Sequence, residues 1–233
     1  EEDGKSYCRA KVPPQAPPAL YGLRVTLDNS REFFRPSAVG VISEFRDSYT
    51  FVHLTDIHFN TGRPPDELNA VRREVLEDIS AMEPEFVLVT GDLGLFPKSY
   101  ARDYPFAYEQ LAGRLSVPAF IVPGNHELMI NPELDPPVDG ADFWSLYYGP
   151  EYQFFDYGGI RYVGLNTFDW PARWRDIRDR DVSAMKADNL GLIRDEQWDW
   201  FKRVAAQARR EGKKIVVYTH IPIELVQGGR RLG

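Results

Sequence analysis

Six polar residues in this sequence have the types and the spacing to hold divalent metal ions and to move a proton. Asp56 and His58 stand two apart in the stretch Thr55-Asp-Ile-His58. In an extended segment, side chains two apart leave on the same face, so a carboxylate and an imidazole converge. That donor pair suits manganese, iron or zinc. Asp92 follows Gly91, which lets the backbone turn tightly and aim the carboxylate inward. Its two oxygens allow it to bridge a pair of ions. In Gly124-Asn-His-Glu127, Asn125 offers a neutral amide oxygen. His126 beside it is placed to face a substrate and give a proton to a leaving oxygen. His220 follows Thr219 and adds another imidazole, while Glu127 reads as orienting its neighbours rather than binding metal.

The elements that must position these groups can be read from the flanking patterns. Phe51–Thr55, Phe86–Thr90, Ala119–Val122 and Ile215–Tyr218 are short apolar, β-branched or aromatic runs with strand character, and each polar group follows one of them. In open α/β sheets ligands bind beyond the carboxyl ends of the strands. Taken singly, these Asp and Asn positions would pass as turn or cap chemistry; four strand ends delivering six donors to one rim predict a single site. Between the strands, Leu68, Val71, Val75, Ile79 and Met82 recur at helical spacing and predict a helix with that face inward. Asp66 and Glu67 suit its first turn, and Pro84 lies past its end. Further helices are expected over roughly 99–115 and over 194–211, the latter with Trp198, Phe201, Val204, Ala205 and Ala208 inward and Gly212 as its stop. Tyr152–Asp156 and Arg161–Leu165 flank Gly158-Gly159 and predict a hairpin. The alternation of strand and helix indicates an α/β architecture.

The ordered series Asp-x-His, Gly-Asp, Gly-Asn-His-Glu and a strand-terminal His resembles the calcineurin-like metallophosphoesterase superfamily over about residues 51–223. Tyr148-Gly-Pro150 and Gln197-Trp198 fit the same pattern. The resemblance implies a β-sandwich of two sheets flanked by helices. It also implies hydrolysis of a phosphate mono- or diester by a metal-bridged hydroxide at a dinuclear centre. By the same resemblance Asp56 and His58 bind one metal, Asp92 bridges both, and Asn125 and His220 bind the second. His126 is then the acid or transition-state stabiliser, two divalent ions (manganese, iron or zinc) are the cofactors, and a small-molecule phosphoester is the substrate. The family completes its site with a later Gly-His-x-His, one imidazole for each metal. None of the four histidines here lies after His220, and the acid often found shortly after Gly-Asp gives way to Leu93-Gly94-Leu95-Phe96. The expectation is a domain truncated at its C-terminus, completed by a further segment of a longer protein or by a second chain. A non-catalytic metal- or phosphate-binding module with an incomplete site is the alternative.

Residues 1–48 are set apart as a polar, proline-rich tail and a short β-like segment, and residues 49–233 as the incomplete phosphoesterase domain. The tail holds Pro13, Pro14, Pro17 and Pro18, which favour extended backbone. Tyr21–Leu27 and Ala38–Ile42 read as a small β module or as strands leading into the main sheet. A net charge of -7 argues against broad nucleic-acid binding, although bound cations can override it inside a pocket. No apolar run reaches the length of a membrane helix. Cys8 is the only cysteine, which excludes an internal disulfide and a thiolate metal site. The compartment, cytoplasmic or extracytoplasmic, is left open. His53 lies inside a strand and reads as a core or hydrogen-bonded residue, and Phe96, Tyr100 and Tyr104 as packing residues with pocket lining as the alternative. The stretch from Trp170 to Asp188, with Trp174, Arg173, Arg175, Arg178 and Arg180, reads as a solvated loop with internal ion pairs. Its alternative is a lid that grips phosphate through arginine.

Overall fold

The computed structural model describes residues 10–27, 30–62, 64–94, 96–176, 190–223 and 226–227. It opens on an antiparallel hairpin, β1 (Ala19–Thr26) with β2 (Glu32–Val41). Next, β3 (Val52–Leu54), α1 (Pro65–Ala81), β4 (Val87–Thr90), α2 (Tyr100–Arg114) and β5 (Ala119–Val122) build a parallel sheet of order β3-β4-β5. A short ladder of β6 (Ile130–Asn131) with β7 (Val138–Asp139) and helix α3 (Gly140–Tyr147) follow. The second sheet begins with β8 (Gln153–Tyr157) and β9 (Ile160–Leu165), the expected hairpin around Gly158-Gly159. Past β10 (Gly191–Leu192) and α4 (Asp195–Arg210), β11 (Lys214–Thr219) returns parallel to β9, giving the order β11-β9-β8. β12 (Val226–Gln227) pairs with β10.

Alternation along the strands sorts residues into three apolar layers. Val87 and Val89 of β4 face α1 and α2, meeting Leu76, Ile79, Ala107 and Leu111. Phe86 and Leu88 point the other way and meet Val122, Tyr157, Tyr162 and Tyr218, so the two sheets are packed face to face. Val163 and Leu165 of β9 turn outward onto Phe201 and Val204 of α4. The result is a helix–sheet–sheet–helix sandwich, as expected. Gly164 permits the close approach of the sheets, because a Cβ there would come 2.5 Å from both Val122 and Tyr218. Among the described residues, no helix is long and apolar enough to cross a membrane.

One expectation needs revision, and one open alternative is decided. The inward face of α1 is carried by Asn69, Leu76 and Ile79, while Leu68, Val71, Val75 and Met82 are exposed. The two sets are neighbouring rows of one wide apolar arc, and periodicity alone does not say which row faces the sheet. Asn69 decides it here, since its amide is needed beneath the loop after β3. The β1–β2 hairpin does not lead into the main sheet. It forms its own two-stranded sheet and docks beside α2, with Ser37 Oγ donating to the Ala112 carbonyl at 2.8 Å.

Candidate metal centre

Three strands of the first sheet and one of the second end at the same rim, and their backbones are fixed to each other there. Asp56 N donates to Gly91 O at 3.1 Å, His58 N to Asp92 O at 2.9 Å and Phe59 N to Leu93 O at 2.7 Å. Asp56, His58 and Asp92 all have positive φ, at 55°, 48° and 55°. Such left-handed backbone is costly for residues with a side chain and persists where surrounding contacts over-determine it. The turns after β4 and β5 touch: a Cβ on Gly91 would lie 2.0 Å from Gly124 N, and one on Gly124 would lie 2.1 Å from Asp92 Oδ1. Glu127, which is fully buried, secures this junction. Its carboxylate accepts from the backbone N–H groups of Asp92 (2.6 Å), Leu93 (2.8 Å), Gly94 (3.2 Å) and Gly124 (2.9 Å).

This scaffold turns acceptor atoms toward one another. His58 Nδ1 lies 2.8 Å from Gly94 O and His220 Nδ1 lies 2.7 Å from Thr90 O. A carbonyl only accepts, so both Nδ1 atoms carry a proton, and in the neutral imidazole each Nε2 then presents a lone pair. The His220 Nε2 lone pair faces Asn125 Oδ1 at 3.0 Å and Asp92 Oδ1 at 3.5 Å. That of His58 faces Asp92 Oδ2 at 3.6 Å and Asp56 Oδ1 at 3.8 Å. His126 Nε2 lies 3.9 Å from Asp92 Oδ2. With metal–ligand bonds of about 2.1 Å, neighbouring ligand atoms sit roughly 3–3.5 Å apart, so this spacing suits a cation in their midst. Burial, and then the charge of Glu127, push the Asp92 carboxyl up to about 6, against the opposing pull of His220 and His126. A carboxylate so desolvated gains strongly from a cation.

All six residues singled out in the sequence meet at this rim. Among the described residues, two triplets have ligand atoms within 4.8 Å of one another: His58–Asp92–His126 and Asp56–Asp92–His220. Asp92 belongs to both, as a bridging carboxylate must. Asp56 Oδ1 also lies 3.8 Å from His58 Nε2, the pair that the resemblance assigns to one metal. His53 is the hydrogen-bonded residue expected, with Nε2 2.8 Å from Thr90 Oγ1.

Sequence reasoning anticipated Glu127 as the residue that orients its neighbours, and missed the tyrosines that hold this segment through its carbonyls. Tyr100 donates to the His126 carbonyl, and Tyr104 donates to that of Glu127 at 2.6 Å. Both tyrosines are buried packing residues, whereas Phe96 is exposed and sets its ring edge-on to His126 with centroids 6.0 Å apart. Arg175 is no phosphate fork. It makes a two-point pair with Asp139 at 2.8 and 3.1 Å and also donates to Leu128 O. The rest of the expected loop, residues 177–189, lies outside the described residues.

The family model of calcineurin-like phosphoesterases matches residues 49–232. The chain belongs to that family, whose general chemistry is phosphoester hydrolysis at a metal centre. No curated protein matches it significantly. Among solved structures, it resembles a dimetal phosphatase from Danio rerio with a TM-score of 0.54 at 13% identity, over 75% of this chain and 70% of that one. It also resembles a purple acid phosphatase from yellow lupin (Lupinus luteus) seeds, with a TM-score of 0.50 at 15% identity. That match covers 85% of this chain but only 35% of the lupin enzyme. At these identities the likeness speaks to the fold.

Proposed function

We propose that the domain from residue 49 onward hydrolyses phosphate mono- or diesters at a dinuclear centre. Asp56, His58, Asp92, Asn125 and His220 hold the two ions, with Asp92 shared. The observation that carries this reading is the convergence of ligand atoms on the shared Asp92, in two triplets each within 4.8 Å, with His220 Nε2 also 3.0 Å from Asn125 Oδ1. With His58 and His220 neutral these atoms present lone pairs to one another, and a divalent cation in their midst satisfies them together. Manganese, iron or zinc bound there supplies Lewis-acid polarisation of the phosphoryl group and an activated water. The chain's own residues do the rest. Gly94 O and Thr90 O fix the tautomers of His58 and His220, and Glu127 locks the turn that aims Asp92. His126, held through its carbonyl by Tyr100, gives a proton to the leaving oxygen. The Asp56 side is open, its side chain 53% exposed, and there water, a further segment of the protein or a second chain completes the coordination.

The test is Asp92→Asn, assayed for bound manganese and for turnover of phenyl phosphate. The substitution keeps the shape and removes the shared charge. Turnover should fall by roughly a hundredfold or more, with metal content falling alongside. Unchanged turnover would overturn the proposal.

A further inference from the structure

A hollow of about 380 Å³ opens beside the centre, between the Asn60–Gly62 turn and the stretch from Phe96 to Asp103. Two contacts join it to the ligand residues. Thr61 Oγ1 donates to the His58 carbonyl at 2.6 Å, and the Phe96 ring stands against that of His126. The near wall is a built one. Asn60, at φ 61°, receives Asn69 Oδ1 on its N–H at 3.0 Å and gives its amide to Asp103 Oδ1 at 2.9 Å. Arg72 reaches up from α1 to bond both Thr61 O and Thr61 Oγ1. The far wall is of another kind. Phe96 is exposed, the Lys98 ammonium lies 6.0 Å from its ring centroid, and Arg102 is 65% exposed in its side chain. Asp103 is buried, bonded to Asn60 and ion-paired with Arg102 Nε, which leaves Lys98 as the principal cation at the mouth.

We propose that this hollow receives the leaving group, and that it selects phosphoesters whose leaving group is aromatic and carries a second negative charge. The proposal rests on the hydrolase reading, since His126 as proton donor marks the leaving-group side of the centre and Phe96 adjoins His126. Phe96 offers a ring for stacking. Lys98, with the exposed outer edge of the Asp103-paired Arg102 guanidinium beside it, gives a local donor rim on a chain of net charge -7, matched to a carboxylate or phosphate beyond the ring.

Two non-hydrolysable probes test it: phenylphosphonate and 4-carboxyphenylphosphonate, titrated calorimetrically into the manganese-loaded full chain. The carboxylated probe should bind about tenfold more tightly at low ionic strength. That preference should fade at about 1 M salt, where the screening length is roughly 3 Å. It should vanish in the Lys98→Gln/Arg102→Gln double variant, and Phe96→Ala should weaken both probes. Equal binding of the two, a preference that survives the double variant, or binding of neither would each overturn the proposal. Because the probes are not turned over, discrimination without hydrolysis of phenyl phosphate would sink the hydrolase reading and leave the hollow a binding site for anionic aryl groups rather than for a leaving group. Hydrolysis of phenyl phosphate with equal binding of the two phosphonates would sink the leaving-group proposal alone.

Discussion

The two ends of the sandwich both hold carboxylates in or near the protein interior and treat them in opposite ways. At the end away from the candidate centre, Asp156 is met by Arg161 Nε at 2.8 Å, by Arg161 Nη2 at 2.9 Å and by Lys213 Nζ at 2.6 Å. Arg161 and Lys213 also reach Glu211, and the Arg161 guanidinium stacks over Phe154 at 4.4 Å. The hydrogen bond from Arg161, more than any other influence, holds the Asp156 carboxyl below its ordinary value. At the other end, Asp92 is flanked by three imidazoles and the Glu127 carboxylate, and its pKa rises to about 6. Among the described residues, no lysine or arginine pairs with it. Structural charge thus arrives with its counterion built into the chain. The charge of the centre is left for a counterion from outside, and the left-handed backbone at Asp56, His58 and Asp92 belongs to the same end.

The contrast is broken most forcefully by deleting one charge at each end. Arg161→Ala leaves Asp156 and Glu211 with Lys213 alone and empties a site whose side chain is 2% exposed. The expected loss is about 2–3 kcal/mol, from the lost charge-assisted hydrogen bonds and the emptied site, with Lys213 still compensating Asp156. Thermal melting should show a drop of about 10 °C; a shift within error would mean the cluster is incidental. Glu127→Gln comes next. It keeps the shape but weakens an acceptor shared by four backbone N–H groups. The cost should be about 2 kcal/mol, with a roughly 10- to 100-fold weaker affinity for manganese by titration. Full affinity in that variant would detach the junction from the centre. Asp92→Asn should behave oppositely to Arg161→Ala. Measured with chelator at neutral pH, the variant should melt at the same temperature as the parent or slightly higher, since an unmatched buried charge has been removed. A fall as large as that of Arg161→Ala would erase the distinction between the two ends.

The same asymmetry explains what could be read in the sequence. The candidate ligand residues could be singled out because metal chemistry constrains residue type, and because each follows an apolar run that marks a strand end. The strands themselves were legible through alternation, and α4 through a face that runs unbroken from Trp198 to Ala208. The orientation of α1 was not, because apolar residues fill adjacent rows and the choice is made by Asn69 binding Asn60, a contact formed only in the folded chain. Tyr100, Gly94 O and Thr90 O escaped for a related reason. They act through a hydroxyl on a helix or through backbone carbonyls, and such roles leave no pattern in residue type.

The smallest expected effect is a dependence on pH that belongs to the opposite end and not to the centre. Asp156 has a folded-state pKa below its unfolded value, which is about 3.9 for a free aspartate. Its ion pairs therefore stabilise the fold fully above that value, and the contribution is lost as pH falls through the lower folded-state value. Asp156→Asn should melt below the parent at neutral pH. The gap should begin to narrow as the pH falls below about 4, where the unfolded chain's carboxyl takes up a proton, and close once the pH has passed the lower folded-state value. Melting curves of the two proteins across that range decide the matter. If the gap stayed constant into acid, packing of the side chain rather than its charge would be holding that end. Arg161 would then be serving Glu211 and Val204 more than Asp156.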